Sequence, residues 1–281
     1  MIDHRRRKRI ANTIIFILLI LLALVFIAPI LIVLMNSFKS KFFISSEPFT
    51  FPNADTFTGR ENYIEGARKI KFFSAFGYSL FITVFSVIGI SLATSMLGWY
   101  ITRVKTRFTT ILYYLLVFSM IVPFQMVMFT MSKTANVLGL DNPVGILVLY
   151  VGFGAGLGTF MFSGFIKTIP FSLEEAAMID GATAPQTFFR IVYPMLKSTA
   201  ITVAILNAMW VWNDYLLPYL TIGFEYKTIP VAIQYLRGAY GAVDMGAMMA
   251  MLVLAMIPII TFYLVMQQHI IKGVIAGAVK G

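Results

Sequence analysis

The sequence predicts an all-α integral membrane protein with six transmembrane helices and a cytoplasmic helix–turn–helix between the fourth and fifth of them. Its composition is the first reason, because 59% of the 281 residues are hydrophobic and only 12% are charged. Soluble domains contain roughly 45–50% apolar and about 25% charged residues. The chain therefore has too little polar surface to coat a water-soluble core.

Long uncharged runs are the second reason, since about 20 apolar residues span the hydrocarbon core of a bilayer. The predicted spans are residues 10–35, 73–102, 108–131, 143–166, 198–220 and 246–268. Only the fifth span holds a formal charge, Asp214, and we expect Pro123 to kink the third. We treat residues 1–281 as a single transmembrane domain.

The positive charges predict the orientation of these spans. Residues 5–9 are all Arg or Lys and precede the first span, so the positive-inside rule places the N-terminus in the cytoplasm. Six crossings put the C-terminus there too, and 13 of the 22 Lys and Arg residues then lie inside. We expect a multi-pass protein of the plasma (inner) membrane, whose net charge of +10 favours contact with the lipid bilayer and not with nucleic acid.

The composition also argues against an enzyme. The chain has no cysteine and only two histidines, which leaves little material for a metal site or a Ser-His-Asp triad. It contains no G-x-x-x-x-G-K-[ST] phosphate loop. We therefore expect no catalytic residue, no metal and no cofactor on this chain.

The inner loop, residues 167–197, is longer than most helix–helix connections. Ser172 followed by Glu175 is a capping-box pattern, which predicts a short helix over residues 173–179. Gly181 is expected to end that helix as a left-handed C-terminal residue.

A second short helix is predicted by Thr183 as N-cap and Pro185 in the first turn, and it should end at Pro194. Its apolar residues, Phe188, Phe189 and Ile191, offer more surface than a free loop should expose. From the residues alone, this elbow either folds back on its own bundle or docks a partner.

The elbow resembles a motif of a known family. Residues 174–181 read Glu-Glu-Ala-Ala-Met-Ile-Asp-Gly and, with Ile191 and Pro194, resemble the EAA loop of ABC-importer permeases. Pro123 and the segments 139–142, 212–214 and 276–281 extend the resemblance over most of the chain. The set is similar to the carbohydrate branch of the family, in particular the maltose-type second permease subunit, although Tyr193 replaces the usual leucine.

This resemblance implies a permease subunit of an ATP-driven, binding-protein-dependent importer for a sugar, oligosaccharide or related polyol. The implied partners are a sister permease forming a heterodimer, a cytoplasmic ATPase dimer that holds ATP and Mg, and an extracytoplasmic solute-binding protein. The residues implied to couple to the ATPase are Glu174, Glu175, Ala176, Ala177, Asp180, Gly181, Ile191 and Pro194. We expect Glu174 and Glu175 to pair with basic groups of the ATPase.

The C-terminal tail has two interpretations. Its Gly and Ala content alone is typical of a flexible end. The resemblance instead implies contact with the ATPase through Ala276, Gly277, Val279, Lys280 and Gly281.

Three residues of the fifth span, Trp210, Asn213 and Asp214, are candidates for the pore or its gate. An ionisable group in a span usually faces a water-filled cavity or a polar partner, and Asn213 could hydrogen-bond across helices. Trp210 and Trp212 belong either to packing or an interfacial aromatic belt, or to a sugar-stacking surface. For Asn213 and Asp214 we favour a structural or gating role.

Other functional classes fit less well. An ion-coupled secondary transporter, the main alternative, usually has ionisable residues near the midplane or broken helices in inverted repeats. A channel would need a selectivity filter, and an intramembrane enzyme would need paired catalytic groups.

The outer loop, residues 36–71, either packs as a connector or touches a partner.

Overall fold

The computed structural model describes residues 2–236 and 243–278, and it describes the side chains of residues 8–236 and 243–268. Apart from isolated β-bridges, all regular secondary structure in these residues is helical. The helices are α1 (Ile2–Asn36), α2 (Lys41–Ile44), α3 (Glu61–Lys69), α4 (Phe72–Arg103), α5 (Arg107–Ser119), α6 (Phe124–Val137), α7 (Gly145–Ile166), α8 (Ser172–Ile179), α9 (Ala184–Thr187), α10 (Tyr193–Met195), α11 (Lys197–Asn213), α12 (Leu216–Thr221), α13 (Ile229–Gln234) and α14 (Met245–Ala278).

The described residues contain four helices that are long and apolar enough to cross a membrane, and six if each of two bent pairs counts as one span. The four are Lys8–Asn36, Phe72–Arg103, Gly145–Ile166 and Met245–Gln268. The bent pairs are Arg107–Ser119 with Phe124–Val137, and Ala184–Met195 with Lys197–Asn213. The all-α membrane fold is therefore confirmed. The first bent pair covers the third predicted span, whereas the second joins the elbow to α11, and the fifth predicted span is divided between α11 and α12.

The third predicted span breaks at Pro123 instead of only kinking. α5 ends at Ser119, α6 begins at Phe124, and the two helices are bent by 108°. Proline has no N–H to donate and disfavours a helical residue before it. Pro123 accordingly occupies the N-cap position of α6, with an extended ψ of 134°.

The fifth predicted span breaks at Asp214. α11 ends at Asn213, and Asp214 takes an extended conformation with ψ 127°. Its carboxylate accepts a hydrogen bond from the Leu216 N–H at 3.0 Å, a local turn that competes with helix continuation. The chain re-enters helix at α12.

The chain forms two compact units, Met1–Phe72 with Ile233–Met256, and Phe73–Ala232 with Ile257–Gly281. In the first unit, the segment after α1 is held by polar side chains. The fully buried Lys39 ammonium donates to the Glu47 carbonyl at 2.6 Å, and the Asn36 amide donates to the Pro48 carbonyl at 2.8 Å. The outer loop is thus ordered by hydrogen bonds within the chain, as expected of a segment that packs as a connector.

Asp244 immediately precedes α14 in the same unit. Its carboxylate accepts a hydrogen bond from the Lys69 ammonium at 2.6 Å and one from the Ala247 N–H at 3.2 Å. Burial alone would raise the pKa of this carboxyl, but those hydrogen bonds and the charge of Lys69 lower the pKa below its ordinary value.

The core of the second unit is built on close packing of α4 against α7. A Cβ at Gly158 would collide with the side chain of Thr94, and a Cβ at Gly154 would lie 2.8 Å from Cδ1 of Ile90. Small residues allow two membrane helices to approach this closely. These glycines therefore serve helix packing.

Candidate functional site

The two ends of α8, the first helix of the elbow, compare differently with the prediction. Ser172 is its first residue and makes no cap, so the predicted capping box is wrong; Phe171 occupies the N-cap position without a side-chain cap hydrogen bond. The C-terminal end matches the prediction, because Gly181 has φ +82°. The Ala182 N–H donates to the Ala177 carbonyl at 2.9 Å and the Gly181 N–H to the Met178 carbonyl at 3.1 Å, which is a Schellman motif.

Glu174 anchors α8 to the end of α4. Its carboxylate lies 2.7 Å from the guanidinium of Arg103 and accepts a hydrogen bond from the indole N–H of Trp99 at 2.9 Å. Arg103 also donates to the Ile169 carbonyl at 3.0 Å. The expectation that Glu174 pairs with a basic group of another subunit is therefore wrong, because its side chain is 1% exposed and already paired.

The other face of α8 is open. Glu175, Ala176 and Asp180 are exposed, and the apolar side chains of Met178 and Ile179 are 50% and 85% exposed. Ala177 faces inward and is buried. An exposed surface that mixes acidic and large apolar groups is typical of a protein-binding site.

The second elbow helix is longer than predicted and contains a π-helical turn, Phe188–Val192. The Gln186 side chain accepts from the Thr183 N–H at 2.8 Å, so the predicted start at Thr183 is confirmed. Pro194 does not end the helix, which continues to Met195. Because Pro194 lacks an N–H, it cannot form the usual α-helical hydrogen bond, and the π-turn precedes it.

Only part of the apolar surface on this second helix is exposed. Phe188 is buried, with its ring centroid 5.3 Å from that of Trp99, whereas Phe189 is 49% exposed. Ile191 is half-buried and Pro194 is exposed. The elbow thus both folds back on its own bundle and presents a surface.

The proposed C-terminal contact is only partly within the described residues. α14 is helical to Ala278, so Ala276 and Gly277 belong to a helix and not to the flexible end that composition suggested. Val279, Lys280 and Gly281 lie outside the described residues.

A polar cluster surrounds the break at Asp214. The hydroxyl of the fully buried Tyr150 donates to the Asp214 carboxylate at 3.0 Å, across from α7. The ring of Trp210 packs edge-on against Tyr150 with centroids 5.4 Å apart. Asp214 therefore has a polar partner within its own chain, one of the two surroundings expected for it.

The neighbours of Asp214 differ from expectation in one respect. The Asn213 amide donates to the Met209 carbonyl of its own helix at 2.7 Å, and this bond does not cross between helices. Trp212 is buried, with its ring 5.9 Å from that of Phe76, which agrees with a packing role. Trp210 is 40% exposed.

Three residues that complete these sites were not singled out by the sequence. Arg103 and Trp99 end an uncharged span, where a positive charge and an aromatic ring are ordinary. Tyr150 lies within the fourth span with no charge near it in sequence. Their roles depend on contacts with residues 64 to 75 positions away, for which one sequence holds no signal.

The match to a family decides the class of protein. A family model described as "Binding-protein-dependent transport system inner membrane component" matches residues 86–276, more than half of the chain. The chain belongs to this family. The resemblance to ABC-importer permeases is thereby confirmed, and the matched region includes the elbow and the break at Asp214.

Relatives agree with this assignment, and a solved structure shares the fold. The permease is 37% identical to a probable starch degradation products transport system permease protein of Thermoanaerobacterium thermosulfurigenes, covering 93% of this chain and 94% of the relative. It is 34% identical to a multiple sugar-binding transport system permease protein of Streptococcus mutans, covering 94% and 96%. Its fold is similar to a chain of a bacterial ABC transporter involved in the import of alginate, with a TM-score of 0.76 at 23% identity, covering 94% and 97%.

Proposed function

We propose that the permease is one of two transmembrane subunits of an ATP-driven importer for a sugar, an oligosaccharide or a related polyol. The solute class is supported by the relatives, which are named for starch degradation products and multiple sugars. ATP and Mg bind to a separate ATPase dimer, and a solute-binding protein outside the cell delivers the solute to this subunit and a sister permease. Both termini of the chain face the cytoplasm.

One observation carries the coupling role of the elbow. α8 is tied to α4 by the buried Glu174–Arg103 pair, while Glu175 and Asp180 on its other face are exposed. A helix that is fixed to a membrane span on one side and open on the other can transmit motion from a partner to that span. Closure of the ATPase dimer against the open face of α8 would therefore move α4 directly.

The remaining site residues have supporting roles in this proposal. Ala176 lets a partner backbone approach closely, Gly181 and Pro194 shape the elbow, and the end of α14 adds a second contact with the ATPase. Trp210, Asn213 and Asp214 lie at the break between α11 and α12 and act as part of the gate. Ala177 packs inward and holds α8 in place.

The first test is purification of the tagged permease in mild detergent, with identification of the co-purifying subunits and assay of ATP hydrolysis. We expect an ATPase dimer and one sister permease, with hydrolysis stimulated by a sugar-loaded binding protein. Recovery of the permease alone or as a homo-oligomer, together with ion-driven solute uptake in liposomes, would contradict the proposal.

The elbow is tested with charge reversals. Glu175→Lys should release the ATPase in co-purification, because it places a positive charge on the open face of α8. Glu61→Lys makes the same change in net charge at an exposed site on α3 and should keep the ATPase bound. Equal ATPase recovery from the two variants would argue against α8 as the docking helix.

A further inference from the structure

Two adjoining cavities of the second unit form a groove along α4 and α11, which we call the α4–α11 groove. One has a volume of about 600 Å³ and the other about 350 Å³. They share the wall residues Val87, Ile88 and Ala204. The groove therefore extends along the two helices from Lys197 at one end to Trp212 at the other.

The lining of the groove is almost wholly apolar. Aliphatic and aromatic side chains form most of both cavities; Lys197, Tyr193 and Ser91 line the first, and Thr83 lines the second. A sugar in such a cavity would leave its hydroxyl groups without hydrogen-bond partners, which is costly. The groove fits an amphiphile with a long apolar part and a charged group at one end.

The charge at that end favours an anionic head. Lys197 is exposed, and within residues 8–236 and 243–268 it makes no ion pair. It is also the first residue of the 17-residue helix α11, whose first turn has N–H groups without intrahelical partners. A lysine and a helix N-terminus beside an apolar groove between membrane helices together favour a lipid phosphate.

The groove is long enough to hold the acyl chain of a lipid in one leaflet of a bilayer. Lys197 and Trp212 are 15 residues apart on α11, which is about 22 Å along the helix axis. Half of a hydrocarbon core is about 15 Å. A phosphate at Lys197 would thus allow an acyl chain to reach the bilayer centre while it stays within the groove.

We infer that the α4–α11 groove binds one anionic phospholipid, with its phosphate at Lys197 and an acyl chain along Val87, Ile88 and Ala204. The inference depends on the location of the chain in a membrane and not on the identity of the transported solute. Bound lipid would fill the space between the elbow end of α11 and the middle of α4.

The test is native mass spectrometry of the permease, purified with its subunits and exchanged into micelles containing equal phosphatidylglycerol and phosphatidylcholine. We expect phosphatidylglycerol to be retained in preference, at one molecule per permease. Lys197→Glu should lower the retention of phosphatidylglycerol at least about tenfold. A basic group near the membrane surface contributes about 1 kcal/mol, and charge reversal both removes this attraction and adds a similar repulsion. Ala204→Trp should also lower retention, by filling the shared wall.

Matched controls change the same groups outside the groove. Lys105→Glu reverses an exposed lysine in the α4–α5 connection, and Ala93→Trp enlarges an exposed residue of α4 that does not line either cavity. Both should retain phosphatidylglycerol. Lys197→Gln, which changes only an exposed side chain, should give an intermediate loss without affecting folding.

Equal retention of the two lipids, or equal retention in Lys197→Glu and Lys105→Glu, would overturn the inference. A photocross-linking experiment tests whether another subunit fills the groove instead. Because the chain has no cysteine, Ala204→Cys can carry a photoreactive group at this site alone. A cross-link to phosphatidylglycerol supports the inference, and a cross-link to a second polypeptide would replace the lipid with that subunit and overturn it.

Discussion

Arg103 and Glu174 form a buried ion pair that joins the end of α4 to the first helix of the elbow. The guanidinium lies 2.7 Å from the carboxylate, with 16% of the arginine side chain and 1% of the glutamate side chain exposed. The Trp99 indole and the Ile169 carbonyl complete the network. Two elements that are 71 residues apart in sequence are thereby held together.

Removal of one partner of this pair should be strongly destabilising. Arg103→Gln leaves the Glu174 carboxylate buried without its counter-charge, and breaking a buried pair in this way costs about 3–5 kcal/mol. We expect that loss in the free energy of unfolding in mixed micelles. ATP hydrolysis should also become independent of the loaded binding protein.

The double variant Arg103→Met, Glu174→Met is the control for this prediction. It removes both charges and keeps apolar volume, so it should be less destabilised than Arg103→Met or Glu174→Met alone. A double variant whose loss equals the sum of the two single losses would mean that the pair is not coupled.

Gly181 should tolerate asparagine better than alanine. Its φ is +82° and nothing lies within 4 Å of an added Cβ, so backbone conformation alone sets the cost. Gly181→Ala should lower the free energy of unfolding by about 1–2 kcal/mol, and Gly181→Asn by less. Gly164, in the interior of α7 with equally open surroundings, is the matched control. Gly164→Ala should be neutral or stabilising, and a loss as large as that of Gly181→Ala would refute the conformational explanation.

Gly158 should be intolerant of a methyl group for a steric reason. Its added Cβ would collide with the Thr94 side chain of α4, and overpacking a closed interface costs about 1–3 kcal/mol. Gly152 lies on the same helix with nothing within 4 Å of an added Cβ. Thermal unfolding should therefore give a lower Tm for Gly158→Ala than for Gly152→Ala. Equal Tm values for the two variants would contradict the close contact between α4 and α7 at Gly158.

The Tyr150–Asp214 hydrogen bond should matter for both stability and transport. Tyr150→Phe removes the donor, and the loss of a hydrogen bond to a charged group costs about 1.5–3 kcal/mol. We expect reduced solute uptake in proteoliposomes as well, because the bond holds the break between α11 and α12. Tyr100→Phe, at an exposed tyrosine of α4, should leave uptake unchanged. Normal uptake by Tyr150→Phe would show that this cluster is not part of the gate.

Asp244 should make the first unit sensitive to acid. Its folded pKa is lower than its unfolded pKa, so its contribution to stability is complete above the unfolded pKa and is lost as the pH falls through the folded pKa. Asp244→Asn should flatten the acid side of the stability profile, measured by unfolding at a series of pH values. Asp141→Asn, at a carboxylate of the second unit, is the comparison variant. If it flattened the stability profile equally, the acid sensitivity could not be attributed to Asp244.

The sequence predicted the spans well because long apolar runs have one stable arrangement in a bilayer. The ends of α4 and α7 agree with the predicted spans to within two residues. Gly181 was also correctly assigned, because few other residues adopt positive φ. Both features depend on local chemistry that is visible in the residues themselves.

The features that were missed depend on distant contacts or on competing local turns. Ser172 matched a capping box, yet the Leu173 N–H donates to the Pro170 carbonyl and helix begins at Ser172 itself. Glu174 and Glu175 are adjacent and alike in sequence, and only the position of Arg103 decides which of them is buried. The break at Asp214 similarly requires its side chain to bind the Leu216 N–H, which hydropathy does not detect.

The anchor at Arg103 has a mechanical consequence for the length of α4. This helix has 32 residues, and its elbow end is clamped to α8. At 1.5 Å per residue it is a rod of about 48 Å, so a tilt of about 5° at the clamped end displaces the opposite end by about 4 Å. A small movement at one membrane surface thus becomes a displacement of atomic scale at the other, with no rearrangement inside the helix.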